Sequence, residues 1–311
     1  MSSPNAPLDT LIRPYGKAAI AEAAALIRDG QPVAIPTETV YGLAADATNG
    51  KAVARIYAAK GRPSFNPLIV HVPSLAEAET IALFDETARR LAERHWPGPL
   101  TLVVPLRPDS GIATLVTAGL PTIALRVPAH PAMRDLLAAV GGPLAAPSAN
   151  ASGGISPTRA EHVMSSLAGR ISLIINGGAT GHGLESTILA VTDGRVRLLR
   201  PGPITEVSAI GGETGGIEAP GQMASHYAPS KPLRLEAETA APGEWLIGFG
   251  AIAGDSNLSE SGDLTEAAAK LFALLHEADA QPNAAIAVAP VPENGLGVAI
   301  NDRLRRAAAP R

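Results

Sequence analysis

Two apolar spacings alternate along the first two hundred residues. Residues 17–29 (KAAIAEAAALIRD) place Ile20, Ala24 and Ile27 on one helical face, and Gly30 follows where a helix would end. PVAI (32–35) is a short continuous apolar run, as a buried strand requires, and it breaks at Pro36. The alternation then repeats. Helices are expected at 51–60, closed by Gly61, at 86–96, stopped by Pro97-Gly98-Pro99, at 130–140 and at 158–169. Strands are expected at 67–72, 100–106, 122–128 and 171–177, with PLAAPSAN (143–150) a strand running into a loop. In STILAVTDGRVRLLRPG, Asp193-Gly194 stands between two alternating runs, which is a hairpin signal. Strands alternating with helices, plus an antiparallel hairpin, predict an α/β domain with an open, twisted mixed sheet and flanking helices.

The pattern changes after Pro203. AIGGETGGIEAPGQMASHYAPSKP is rich in Gly, Pro and Ser with little periodicity, and reads as a linker. Beyond it, EWLIGFG and AAIAVAPV read as strands and DLTEAAAKLFALLHEAD as a helix whose Asp263 and Glu266 have capping-box spacing. NDRLRRAAA reads as a terminal helix. The expected organisation is a first domain over 1–205, a linker over 206–232 and a small Rossmann-like α/β domain over 233–311.

The composition narrows the function classes. The 311 residues are 46% hydrophobic and 17% charged, which suits globular domains. A net charge of −4 gives no general attraction for nucleic acid. With no cysteine there is no disulfide, thiolate zinc site or cysteine nucleophile. The N-terminal stretch lacks a signal-peptide pattern and no apolar run reaches the length of a membrane span, so a cytoplasmic protein is expected.

Polar residues gather near the ends of expected strands: Thr37, Glu38 and Thr39; Lys60, Arg62, Ser64, Asn66 and His71; Thr122 and Arg126; Ser148, Asn150, Ser152 and Ser156; Ser186, Thr187 and Arg200. In open α/β sheets ligands collect where such loops diverge, and hydroxyls with arginines suit an oxyanion-rich ligand such as a nucleotide. Each group has a plainer reading. Lys60 and Arg62 also suit the dipole at a helix C-terminus. His71 in an apolar strand is more often a buried structural histidine. Arg126, inside IALRV, must pair or face a wet cleft. There is no Walker loop, dinucleotide fingerprint, H-E-x-x-H or G-x-S-x-G.

In their order, PTETVYGL, KGRP…NPLIVHV, WPGPLTLV, LRVP, PSANASG and LRPG closely resemble the threonylcarbamoyl-AMP synthase family. The segment PGQMASHYAP and the small second domain resemble its two-domain Sua5 type, as opposed to the single-domain YrdC type. The resemblance implies a YrdC-like catalytic domain and an adenylyl-transfer reaction. L-threonine, bicarbonate or carbon dioxide, and ATP give threonylcarbamoyl-AMP and pyrophosphate. Magnesium would be carried with ATP, with no dedicated protein cage. The product would pass to a separate transferase that modifies tRNA. It further implies that Thr39, His71, Arg126, the backbone near Ala146, and Ser186 hold threonine. Lys60, Arg62, Asn66, Thr122, Ser148, Ser156, Arg200 and Tyr227 would line the ATP site, with Lys60, Arg62 and Arg126 acting on the reacting groups. Thr37 and Glu38 would shape the pocket. The sequence also admits an RNA-binding module without catalysis, using the same basic groove. A third reading is a carbamoyl-adenylate module like that of hydrogenase maturation proteins, though those chains carry cysteine zinc motifs absent here.

Overall fold

Alternation along the strands decides which parts of the first sheet helices can cover. The protein is described by a computed structural model, over residues 8–206, 210–211 and 218–310. The first domain runs β1 (Leu11–Pro14), α1 (Lys17–Arg28), β2 (Val33–Pro36), β3 (Tyr41–Asp46), α2 (Gly50–Lys60), β4 (Ile69–His71), α3 (Leu75–Ile81), α4 (Glu86–His95), β5 (Leu100–Pro105), α5 (Thr114–Thr117), β6 (Thr122–Arg126), α6 (Pro131–Val140), β7 (Leu144–Ala145), α7 (Ala160–Leu167), β8 (Leu173–Asn176), β9 (Thr187–Thr192), β10 (Arg195–Arg200) and β11 (Ile210–Gly211). The sheet order is β1-β8-β2-β3-β7-β4-β6-β5-β9-β10-β11, open at both ends. Parallel pairs such as β4 with β6 mix with antiparallel pairs such as β5 with β6.

Successive strand residues face opposite sides of a sheet. In β2, β3 and β8, Ala34, Leu43, Ala45 and Ile174 pack on one side with helices α2, α3, α4 and α7. Val33, Ile35, Ala44, Leu173 and Ile175 pack on the other with α1 and α6. The half formed by β4, β6, β5 and β9 differs. Val70, Leu125, Leu102 and Leu189 join the first helical layer. On its second face Ile69, Ala124, Val103 and Ile188 meet only Ala190, Leu199 and Ala219, and no described helix. That uncovered face is where polar side chains can be exposed to a ligand.

The hairpin expected at Asp193-Gly194 is β9–β10, antiparallel, with φ of +52° and +73° at the two turn residues. Both positive values are what a tight two-residue hairpin turn needs. Several elements were not legible in advance, among them β1, α3 and α5. YGLAAD forms β3, which returns antiparallel on β2 through residues 37–40. The strand expected at 143–150 is reduced to Leu144–Ala145. Strand β11 lies inside the stretch expected as linker and extends the first sheet beside β10.

The second domain carries β12 (Leu233–Arg234), β13 (Glu244–Gly248), β14 (Ser256–Asn257), α8 (Leu264–Ala280), β15 (Ala285–Val288) and α9 (Leu296–Ala308). Its sheet, β12-β15-β13-β14, is parallel throughout. Asp263 caps α8 by accepting the Glu266 N–H. The hydrophobic core of this domain includes Val40, Ile155 and Leu184 of the first domain and Tyr227 of the linker, so the two domains share a core. At Gly183 a Cβ would lie 2.4 Å from the Ala268 carbonyl oxygen of α8, which excludes any larger residue at that contact. Among the described residues no helix is long and apolar enough to cross a membrane.

Candidate active site

A cavity opens on the uncovered face. Its wall is drawn from the β2–β3 turn, the ends of β4 and β6, the loop after β7, the strand β9 entry, Arg200 and the linker. Register explains why distant residues meet. His71 and Arg126 are direct partners on parallel strands β4 and β6. Both are buried, at 2% and 3% exposure, in what would otherwise be core positions.

The two ends of the cavity differ in charge. At one end Arg126 donates from Nη1 to Thr39 Oγ1 at 2.9 Å, from Nη2 to Glu38 Oε1, and from Nε to the Gly98 carbonyl at 3.2 Å. Glu38 also accepts the Ala129 N–H at 3.1 Å. Burial by itself would raise the Glu38 pKa, but Arg126 and these hydrogen bonds outweigh it and hold it at about 2. Thr37 closes the turn, its hydroxyl donating to the Val40 carbonyl at 2.7 Å and lying 2.8 Å from that of Thr39. Among the described residues neither ring nitrogen of His71 makes a hydrogen bond of good geometry, with the Leu144 and Ile69 backbone nearby. Burial first, then Arg126, push its pKa down to about 3, so a neutral imidazole, one nitrogen a donor and the other an acceptor, faces the cavity.

At the other end the cations have no carboxylate partner among the described residues. Arg62 donates to the carbonyls of Asn66 and Pro67, at 3.2 and 2.9 Å. Arg200 donates to the Ser186 carbonyl and hydroxyl, each at 3.1 Å. Lys60 reaches the carbonyls of Ser148 and Asn150. Burial pulls the Arg62 pKa down to about 10 and lowers those of Arg200 and Lys60. Buried positive charge held only by neutral acceptors is costly and marks a place for an anion. The one carboxylate on the wall among the described residues, Glu185, is already taken. It accepts from Ser156 Oγ and from Arg303 Nε of the second domain.

Of the residues singled out beforehand, Thr39, Arg62, His71, Arg126, Ala146, Ser148, Ser186, Arg200 and Tyr227 line the cavity. The Ala146 N–H is occupied by the Ile69 carbonyl at 2.9 Å. Lys60 stands behind the wall, clamping the Ser148–Asn150 loop, and Ser156 is bound to Glu185. Asn66 lies next to Arg62 and against Met223 of the linker, with its Oδ1 buried and unpartnered. Thr122, at the start of β6, is half-buried and outside the wall. Glu38, Glu185 and His226 are the contributors that sequence reasoning left without contacts. The need of an in-strand arginine for a partner was the signal for Glu38. Nothing local signalled Glu185, whose partner lies 118 residues away.

Among the described residues no group of three or more His, Cys, Asp or Glu could hold a metal ion. A cavity lined by arginines and hydroxyls on one sheet face suits an oxyanion-rich ligand, and the relatives place the chain among nucleotidyltransferase-type enzymes. Residues 25–202 match the Sua5/YciO/YrdC family, described as "Telomere recombination", and residues 188–309 match the "Threonylcarbamoyl-AMP synthase, C-terminal domain". The threonylcarbamoyl-AMP synthase of Bacillus subtilis (strain 168) is 41% identical over 94% of this chain and 93% of its own length. That of Pyrococcus abyssi is 40% identical over 93% and 94%. The crystal structure of P. abyssi Sua5 complexed with L-threonine covers 97% of both chains with a TM-score of 0.86 at 36% identity. Full-length HypF, at 19% identity and TM-score 0.53, shares the fold alone. The chain belongs to the threonylcarbamoyl-AMP synthase family, in its two-domain Sua5 form.

Proposed function

We propose that the chain makes threonylcarbamoyl-AMP from L-threonine, bicarbonate or carbon dioxide, and ATP, releasing pyrophosphate. The observation that carries this reading is the pairing, in one cavity, of a compensated arginine with two uncompensated ones. Arg126 has used three of its five N–H groups on Gly98, Thr39 and Glu38. One N–H on each terminal nitrogen is left for the carboxylate of an amino acid. Thr39, bonded to Arg126, and neutral His71, its register partner, would take the substrate's hydroxyl and amine, with Ser186 on the same cavity wall. Arg62 and Arg200 would supply positive charge, and the Ser148 loop neutral hydrogen-bonding groups, for a triphosphate removed from water.

The reaction needs little covalent help. The threonine amine adds to carbon dioxide to give a carbamate. A carbamate oxygen attacks the α-phosphorus, and the bond from that phosphorus to the bridging oxygen of pyrophosphate breaks. Holding the two ends in line and stabilising charge on the phosphates are the protein's contributions. Magnesium would be held by phosphate oxygens, since Glu185 has both carboxylate oxygens engaged. Lys60 would bear on the phosphates through the loop it clamps, and Tyr227, on the linker, would close the nucleotide end. We place the enzyme in the cytoplasm, handing its product to a separate transferase that acts on tRNA.

The test is pyrophosphate release from ATP by the full chain. It is expected only with threonine and bicarbonate both present. Release that ignores threonine would overturn the assignment.

A further inference from the structure

The chemistry above draws on the first domain and the linker, yet the largest fully buried side chain belongs to the second domain. It is Arg303 of α9, with 0% exposure. Its Nε donates to Glu185 Oε2 at 2.9 Å and its Nη1 to Asp302 Oδ2 at 2.8 Å. Its guanidinium lies 5.3 Å from the centre of the Tyr227 ring. The same helix holds the linker. Arg306 donates to the Met223 carbonyl at 2.6 Å and accepts the His226 N–H at 3.1 Å.

Glu185 is the anomaly that gives this contact meaning. A carboxylate on the wall of a phosphate cavity repels the ligand, and it is a competitor for Arg200. It also directly precedes Ser186, whose carbonyl and hydroxyl both receive bonds from Arg200. Deprived of Arg303, a buried Glu185 has two recourses: to take up a proton or to turn to Arg200. The second would cancel a charge at the phosphate end and draw Ser186 out of place.

We propose that Arg303 is a positioning residue through which the second domain neutralises Glu185 and so keeps Arg200 and Arg62 available for the triphosphate. The second domain is then a built-in counter-ion for the catalytic cavity, and not only a cover. This rests on the adenylating reading given above.

The experiment is a double-substitution cycle on the full chain, with the ATP dissociation constant read by calorimetry in the presence of magnesium. R303M is expected to weaken ATP binding at least ~10-fold relative to the unaltered chain. On the E185Q background the cavity wall has no carboxylate to neutralise, and Asp302 keeps its pairing with Arg306, so R303M/E185Q is expected to bind within about 3-fold of E185Q. A merely structural role for Arg303 would weaken binding equally on both backgrounds, and that outcome overturns the proposal, as does unweakened binding by R303M. Should R303M alone fail to fold, the two Gln-background chains still decide it, since a ~10-fold loss between them overturns it. Absence of ATP binding by the unaltered chain would instead overturn the adenylating reading itself.

Discussion

The two ends of the cavity are built from the same residue type, arginine, and treated in opposite ways. Arg126 is neutralised by Glu38 at contact distance, whereas Arg62 and Arg200 are left to carbonyls and a hydroxyl. On the proposed function, the difference follows the charge each end would receive. A single carboxylate needs oriented donors more than net charge, and a paired arginine held from three sides provides them. A triphosphate carries several charges, and a site already neutral would leave them desolvated and unpaired.

The largest expected effect comes from breaking the compensated end. In R126M threonine loses its charged partner, so its affinity should fall by at least ~100-fold, about 3 kcal/mol, measured by calorimetry. The same change leaves Glu38 buried without a counter-ion, and chemical denaturation should show a loss of about 3 kcal/mol in stability. Unchanged threonine affinity would remove Arg126 from the amino-acid pocket.

Acid should report the pair separately. The Glu38 pKa is lowered on folding from 4.5 to about 2. Its contribution is therefore complete above about pH 4.5 and is lost as the pH falls towards 2. It amounts to about 3 kcal/mol at most. The stability gap between the unaltered chain and E38Q should shrink across that window. His71, with its pKa lowered from 6.5 to about 3 chiefly by burial and Arg126, also loses stability on acidification, and since Glu38 opposes that shift, the comparison is best repeated on an H71Q background. A gap that stays constant from pH 5 to pH 2 would mean that the carboxylate is not held by Arg126.

The smallest effect sharpens the contrast from the other side. R62M should weaken ATP about 30-fold, near 2 kcal/mol. Because it removes a buried cation that has no counter-ion, its ligand-free thermal midpoint should stay within ~2 °C of the unaltered chain. A fall as large as that of R126M would show that Arg62 is structural.

Much of this was legible along the chain. Helical and strand periods located most elements, because each buries its own apolar face whatever it packs against. The hairpin at Asp193-Gly194 was legible because its residue types fix the backbone. YGLAAD was not read as a strand, since its small residues show no alternation and its pairing with β2 depends on the turn at Thr37. Most of the cavity wall was named from its motifs. The position of Lys60 behind the wall and the roles of Glu38 and Glu185 were not, because each is defined by a partner distant in sequence.

What the sequence by itself determined is which side chains can bind oxyanions and in which order they occur, since donor chemistry is a property of residue type. Only the tertiary structure decided which sheet face stays uncovered, that His71 and Arg126 share a register, and that one buried cation is compensated while its neighbours are not. Those are facts of pairing and burial, and both are set by contacts between segments far apart in sequence, as with the 88 residues between Glu38 and Arg126.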